Sequence, residues 1–530
     1  MKKILALLLL SSTVFLVSAC GKQASDTKDM PVLMGPNDLS VLAGSELKDI
    51  EPLLPKIATA TGIRLVMTYT GTLSAVERLQ AGEQVDVSWL ANNHYARLVP
   101  EVKTRIAESE RTMLTPVVLG IKQSKARQLG WENNPNVTWK DIANAAQAGK
   151  FTFGMTSPTS SNTGFSGLLG LAAALSGKGD ALEEKDIDVK QLSSFFKAQR
   201  LTAGSSGWLA DAYIKEQGKV DGIINYASTL LSMNKNPALN EKLVLIYPKD
   251  GIVTADYPIM LINPAKRDAY TKVVAYLRGK EFQQAMAVAT LRRPVNPDVQ
   301  VADTPAQPLV ELNFPGKLAV VDAILSAFDN NLRIPTDSTF VLDRSGSMSG
   351  DRIDNLKSAM LGLAGADASI SGRFARFHNR EQIYLLPFSS LPGASERFDM
   401  GLDAKSNQAA LQGIAARVKT LQADGGTAIY DALKQAYADA MERRHNYPAR
   451  FYSIVLMTDG ENSAGLSMNE FVSWYNQLPE KDKGIKIFTV IFGEADMREL
   501  KTVAELTGGR TFDSRNARLQ SIFKEIRGYQ

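Results

Sequence analysis

The sequence predicts an α/β fold in both halves of the chain, and two observations carry that prediction. Short apolar runs alternate with amphipathic helical patterns along most of its 530 residues, and the alternation is broken once, by prolines between about 295 and 337. Apolar strands interleaved with amphipathic helices imply sheets covered by helices. In the first half VLMG (32–35), RLVMTYTG (64–71), VDVSWL (85–90), FTFGM (151–155), VDGIINY (220–226) and LVLIYP (243–248) read as strands. LKDIEPLLPKIATATG (47–62) and SAVERLQAG (74–82) read as helices between them. In the second half TFVLD (339–343), QIYLLPF (382–388), YSIVLMTDG (452–460) and KIFTVIFG (486–493) are strands. Its helices are DRIDNLKSAMLGLA (351–364), YDALKQAYADAMERR (430–444) and LQSIFKEIRG (519–528). Between the halves Pro294, Pro297, Pro305, Pro308, Pro315 and Pro335 bracket one helical segment, KLAVVDAILSAFDNN (317–331), expected to dock as a connector. No internal repeat is visible.

At roughly 100–200 residues per domain, this length predicts two to four domains. The composition, 44% hydrophobic and 22% charged, is that of globular protein and excludes wholesale disorder or many membrane spans. A formal charge of +4 over so long a chain argues against nucleic acid as a partner, because nucleic-acid binders concentrate Lys and Arg. With one cysteine, Cys20, and three histidines, His94, His378 and His445, there is neither an intrachain disulfide nor a Cys/His zinc set.

The lone cysteine has a specific setting. Lys2 and Lys3 precede an apolar run from Ile4 to Val17, and small residues then lead to Cys20, which is the pattern of a cleaved export signal. The run is shorter than the ~20 apolar residues a spanning helix needs. Val17-Ser18-Ala19-Cys20 resembles the lipobox of bacterial lipoproteins, which implies a chain that begins at a lipidated Cys20 and is tethered outside the cytoplasm. Gly21 is not the acidic residue that goes with inner-membrane retention, so the expectation tilts to an outer membrane. GFSGLLGLAAALSG (164–177) comes nearest to a second apolar span and reads as a packed core helix. The expected organisation is a signal at 1–19, a polar tether at 20–29, one α/β unit at 30–300, a linker with one helix at 301–337 and a second α/β unit at 338–530.

The sharpest chemistry lies in the second unit. Asp343, Ser345 and Ser347 occupy alternate positions of a loop between a strand and a helix, where ligands of open α/β sheets bind. Thr427, in GGTAIYD (425–431), precedes another helix, and Asp459 ends the strand 452–460. Hydroxyls with few carboxylates suit a hard cation that keeps water, which points to Mg²⁺ in octahedral geometry at ~2.0–2.1 Å, or another divalent cation. These three segments, in this order, resemble the metal-ion-dependent adhesion site of von Willebrand factor A domains, which implies a doubly wound, Rossmann-like domain over 338–530. By that resemblance Ser345, Ser347 and Thr427 contact the metal, Asp343 and Asp459 hold it directly or through water, and the sixth position accepts a carboxylate of a protein partner. No histidine in these loops offers a general base, so the expectation is binding rather than catalysis.

The first unit carries small hydrogen-bonding residues at its strand-to-helix turns: Gly44-Ser45, Thr70-Gly71-Thr72, Asn92-Asn93 and TSPTSSNTG (156–164). Such residues cap helices in every fold, and they also bind anions and polar groups without Lys or Arg. VLAGSELKDIEPLLP, YTGTLSAVERLQAGEQVDVSWLANN, TPVVLGIK (115–122), FTFGMTSPTSSNTGFSGLLGL, VDGIINYASTLL and DYPIMLI (256–262) together resemble type 2 periplasmic solute-binding proteins, particularly the oxyanion-binding branch. The resemblance implies two lobes with crossings near 114–122 and 255–262, and a small polar or oxyanion solute between them. Ser45, Thr72, Ser161, Asn162, Thr163 and Tyr226 are the candidate contacts, and no Arg or Lys in those loops marks the solute as an anion. The functional expectation is a membrane-anchored extracytoplasmic binding lipoprotein. The alternative is an adhesion or assembly scaffold whose front half binds no solute. An enzyme has least support, because no nucleophile elbow, zinc motif or Walker A pattern is present.

Overall fold

The structure, a computed structural model, describes residues 34–301, 309–493, 497–515 and 519–530. The signal, Cys20 and the tether lie outside the described residues. Three sheets organise the chain. The first contains β1 (Asp38–Gly44), β2 (Arg64–Thr70), β3 (Val87–Trp89) and β4 (Glu108–Arg111). The second contains β5 (Met113–Lys122), β6 (Phe153–Thr156), β7 (Gln199–Ala203), β8 (Gly222–Tyr226), β9 (Leu243–Ile246) and β10 (Val253–Ala255). The next strand, β11 (Pro258–Leu261), returns to the first sheet, whose order is β2-β1-β3-β11-β4. The short β12 (Arg293–Pro294) pairs with β5 of the second sheet, whose main order is β10-β5-β8-β6-β7.

Two lobes follow from this connectivity. The chain leaves the first sheet between β4 and β5, at Thr112, and returns between β10 and β11, at Asp256 and Tyr257. The segment 114–122 is therefore the body of a second-lobe strand, and the crossing itself lies just before it. The two crossings are bonded side by side: the Thr112 hydroxyl donates to the Tyr257 carbonyl (2.6 Å), as does the Trp89 indole N–H (3.0 Å). Tyr257 takes a left-handed φ of 43°, unusual for a bulky side chain, at the hinge between lobes.

Local sequence explains most elements. The single helix expected over 47–62 is divided into a 3-10 helix, Ser45–Leu53, and an α-helix, Leu54–Thr61. Pro52 and Pro55 lack the N–H groups a continuous helix needs there. The helix Asn162–Ser176 is buried from Asn162 to Ala173, as its apolar run predicts, and each buried Leu or Phe contributes about 1.5–3 kcal/mol. Gly164 lets it approach the sheet, because a Cβ there would collide with the Thr156 carbonyl.

The connector helix is Leu318–Ala327, extended by a π-helical turn at Phe328–Leu332. Val320, Val321, Ile324, Leu325, Phe328 and Leu332 join the hydrophobic core of the front half, so the segment is docked. Phe314, just before it, stacks on His94 of the first lobe (4.9 Å) and lies 5.8 Å from Phe165 of the second.

The third sheet comprises β13 (Thr336–Asp343), β14 (Gln382–Phe388), β15 (Glu396–Asp399), β16 (Phe451–Thr458), β17 (Lys486–Ile491) and β18 (Thr511–Asp513). Its order is β15-β14-β13-β16-β17-β18, parallel throughout except for the edge strand β15. Helices flank it, including Asp351–Leu361, Ala404–Lys419, Ile429–Asn446 and Leu519–Arg527. Where the connector enters this domain, a buried polar cluster gathers. Glu381, fully buried, accepts from the guanidinium groups of both Arg333 and Arg527, and Asp329 lies 3.5 Å from His378. Burial lifts the Asp329 carboxyl to about 6, although Arg333 and Arg527 pull the other way.

Candidate functional site

The two central parallel strands of the third sheet, β13 and β16, end side by side, and the rear site forms beyond their carboxyl ends. Asp343 is the last residue of β13 and is fully buried. Its carboxylate accepts from the Ser345 amide (2.8 Å) and from the Thr458 hydroxyl at the end of β16 (2.6 Å). These bonds aim the loop: Ser345 and Ser347 bring their hydroxyl oxygens within 3.0 Å of each other, and the Ser347 hydroxyl donates to Asp459 (2.9 Å). The 424–427 loop is fastened beside it, because the Gly346 amide donates to the Gly425 carbonyl (2.9 Å) and the Asp424 amide to the Arg344 carbonyl (2.7 Å). A Cβ at Gly460 would sit 3.4 Å from the Ser347 Oγ and 3.9 Å from the Thr427 Oγ1, so that bare backbone leaves the two hydroxyls facing one point. All five residues expected at this site therefore converge.

The electrostatics suit a cation. Burial raises the Asp343 carboxyl, and the charge of Asp459 raises it further, while Thr458 and Ser345 hold it down. A bound divalent ion would neutralise both carboxylates. Among the described residues no cluster of three or more His, Cys, Asp or Glu side chains is placed to hold a metal. A cation site here must therefore draw on hydroxyls, which Ser345, Ser347 and Thr427 supply. One residue that the motif reading did not single out also enters: Arg352, on the first turn of the helix Asp351–Leu361, reaches Asp459 at 2.5 Å.

In the front half the structure separates the six candidate residues into two groups. Asn162, Thr72 and Tyr226 converge between the lobes. Asn162 donates to the Tyr226 hydroxyl (2.9 Å) and accepts from Asn92 (2.8 Å) and, at 3.5 Å, from Thr72. Tyr226 in turn donates to Glu46 of the first lobe (3.2 Å). By contrast Ser161 and Thr163 bond each other (3.1 Å), and Thr163 bonds Thr156 (2.8 Å), within the second lobe. Ser45 opens the 3-10 helix and makes no side-chain hydrogen bond to the cluster. None of these three side chains caps the backbone of the helix it begins. The lobes are shut on one another: a Cβ at Gly71 would lie 2.6 Å from the Ser160 carbonyl oxygen.

Two charged residues of this cleft had no local signal. Burial raises the Glu46 carboxyl, which Arg292 and Tyr226 partly offset. Arg292, only 2% exposed, bonds Asp49 (2.8 Å) and the Glu46 carbonyl (3.2 Å), and its guanidinium lies over the Tyr257 ring. It follows the helix Lys280–Thr290, more than 240 positions from Asp49 and Glu46, so no loop motif could place it there.

The rear domain touches both lobes. Glu77, on the first-lobe helix Thr72–Gln80, accepts from the amide (2.7 Å) and hydroxyl of Ser371 and pairs with Lys524 (3.3 Å). On the second lobe Trp208 meets Tyr529 edge-on at 6.0 Å, and Ser160 abuts Gly528.

Two lobes joined by paired crossings, followed by a mostly parallel sheet with hydroxyl-rich loops at its carboxyl edge, define a chain of two α/β modules. Comparison with known proteins names both modules. Residues 39–289 match the model of the bacterial extracellular solute-binding protein family, and residues 337–525 that of the von Willebrand factor type A domain. The chain is thus a solute-binding domain followed by a von Willebrand factor A domain, as the two resemblances implied. Domains of both kinds are typically binding rather than catalytic modules, and the pair is consistent with an extracytoplasmic binding or adhesion protein.

The uncharacterized protein sll0103 of Synechocystis sp. is 32% identical over 141 residues, 26% of this chain and 28% of that protein. Calcium-activated chloride channel regulator 1 of Sus scrofa is 29% identical over 177 residues, 32% of this chain and 16% of that protein. The matches thus span less than a third of either relative. Similar solved structures include apo ferric ion-binding protein A of Pasteurella haemolytica, at 16% identity and TM-score 0.43 over 55% of this chain and 97% of that one. Another is the sulfate-binding protein SubI of Mycobacterium tuberculosis, at 16% identity and TM-score 0.41 over 54% and 98%. Among the described residues no helix is long and apolar enough to cross a membrane.

Proposed function

We propose that this chain is an extracytoplasmic lipoprotein, anchored through Cys20, whose A domain holds Mg²⁺ or another divalent cation and docks an acidic residue of a protein partner. The observation that carries the reading is the convergence of Asp343, Ser345, Ser347, Thr427 and Asp459 beyond β13 and β16. The three hydroxyls and two carboxylates are the residues that would hold the cation, which when bound supplies an electrophilic centre for an incoming carboxylate. What the protein itself contributes is orientation: the Ser345 amide and the Thr458 hydroxyl fix Asp343, and Ser347 fixes Asp459. Titration of Mn²⁺ into the full chain and into Asp343→Ala tests this. Saturable binding by the parent and none by the variant is expected, and equal binding by both refutes it.

For the front half two readings stand. In one, a small polar solute binds between the lobes, with Thr72, Asn162, Tyr226 and Arg292 as contacts. In the other, the front half is a structural platform for the A domain. The closed cleft favours the platform, because the Asn92–Asn162–Tyr226–Glu46 chain joins the lobes directly and the rear domain bears on both. The extracellular solute-binding family of residues 39–289 favours the solute. Melting the full chain against oxyanions, amino acids, polyamines and sugars separates them: a clear upward shift with one solute supports the first, and a flat panel the second.

A further inference from the structure

We propose that Arg352 is a built-in counter-ion of the rear site, a positioning residue that holds Asp459 and weakens cation binding. The inference rests on the metal-site reading above. Its guanidinium donates to the Asp459 Oδ2 at 2.5 Å and reaches the Ser347 carbonyl at 3.4 Å. The other oxygen of Asp459 accepts from the Ser347 hydroxyl at 2.9 Å, so Arg352 and the site share one carboxylate.

The surroundings are shaped for this guanidinium. Gly493 follows β17 with a left-handed φ of 77°, and a Cβ there would lie 3.1 Å from the Arg352 Cζ and 2.9 Å from the Asp459 carbonyl oxygen. A larger residue would push the arginine off its partner. Asp459 is fully buried, whereas the Arg352 side chain is 39% exposed. The carboxylate is therefore fixed, while the cation that pairs with it has an exit to water.

The consequence is a matter of charge. Asp343 and Asp459 bring two negative charges to the loops, and Arg352 returns one through direct contact. A divalent cation thus meets one net negative charge rather than two. Once it is bound, these groups and the ion carry one net positive charge, which a single carboxylate brings to zero. Arg352 accordingly keeps the site's hold on the metal weak and leaves the loaded site short of one anion.

The test is Mn²⁺ affinity, read from the free-ion electron paramagnetic resonance signal with the full chain. Arg352→Gln and Arg352→Met remove the charge, and Arg352→Lys retains it. Removing one unit charge beside a ligand carboxylate changes divalent-ion binding by about tenfold even in a water-like dielectric. Both neutral variants are expected to bind Mn²⁺ about tenfold more tightly than the parent, with the Lys variant within about twofold of it. A residue that merely propped the loop would weaken binding when removed, so unchanged or weaker binding by a folded neutral variant overturns the proposal. If the parent and every variant fail to bind Mn²⁺, the metal-site reading falls, and this inference with it. That result is distinct from equal binding by parent and variants.

Discussion

Asn162→Ala probes whether the two lobes are closed in solution. In the closed structure Asn162 is 5% exposed, receives the Asn92 amide at 2.8 Å and donates to the Tyr226 hydroxyl at 2.9 Å. Truncation strips a close partner from Asn92 and from Tyr226 at the lobe junction, and the longer 3.5 Å one from Thr72. A buried polar group left without its partner costs about 1–3 kcal/mol, so the two together cost about 2–4 kcal/mol once the Tyr226 bond to Glu46 is allowed to persist. For a domain of this size about 2–4 °C of melting temperature corresponds to each kcal/mol, which gives a fall of about 4–16 °C in the front-half transition. Thermal melts of the full chain followed by circular dichroism read the change. A double-mutant cycle with Asn92→Ala should return a coupling of about 0.5–3 kcal/mol. In an open molecule the Asn162 bond to Tyr226, on the same lobe, would persist while the bond to Asn92 would not, so the cycle would return no coupling to Asn92. That outcome would refute the closed cleft and remove the main support for the platform reading.

Two further predictions concern the joint between the domains and the anchor. The Asp329 carboxyl is raised to about 6 by burial, above its ordinary 3.8, so the folded state takes up this proton more readily than the unfolded chain. Its stabilising contribution is complete below pH ~4 and is lost as pH rises towards 6, amounting to about 1 kcal/mol between pH 5 and 7. Asp329→Asn cannot ionise, so its stability relative to the parent should rise by that amount from pH 5 to pH 7; parallel urea-melt curves would show the shift is not expressed. Cys20→Ser should move the protein from the membrane fraction to the soluble fraction after cell disruption, and retention in the membrane would exclude the lipid anchor.

How far the sequence reaches differs between the two domains for a physical reason. The rear site is legible because each of its pieces is local. Asp343, Ser345 and Ser347 share one turn, and Asp459 directly follows an apolar strand next to the one that ends at Asp343. Once a parallel sheet forms, loops at the carboxyl ends of neighbouring strands must meet, so motif order alone forecasts the cluster. In the front half the turn residues that cap helices and those that meet a ligand are the same types. Composition therefore did not separate Ser161 and Thr163, which bond within their own lobe, from Asn162, which crosses to the other.

The strand and helix alternation, the division into two α/β units and the hydroxyl-rich loops of the rear domain were written in local pattern, because hydrophobic periodicity and turn chemistry act over a few residues. The tertiary structure alone decided the rest: Arg292 against Asp49, Arg352 against Asp459, and Glu77 held by Ser371 and Lys524. Each joins residues more than a hundred positions apart, and nothing in a run of neighbours records which charged side chain the folded chain will bring to face it.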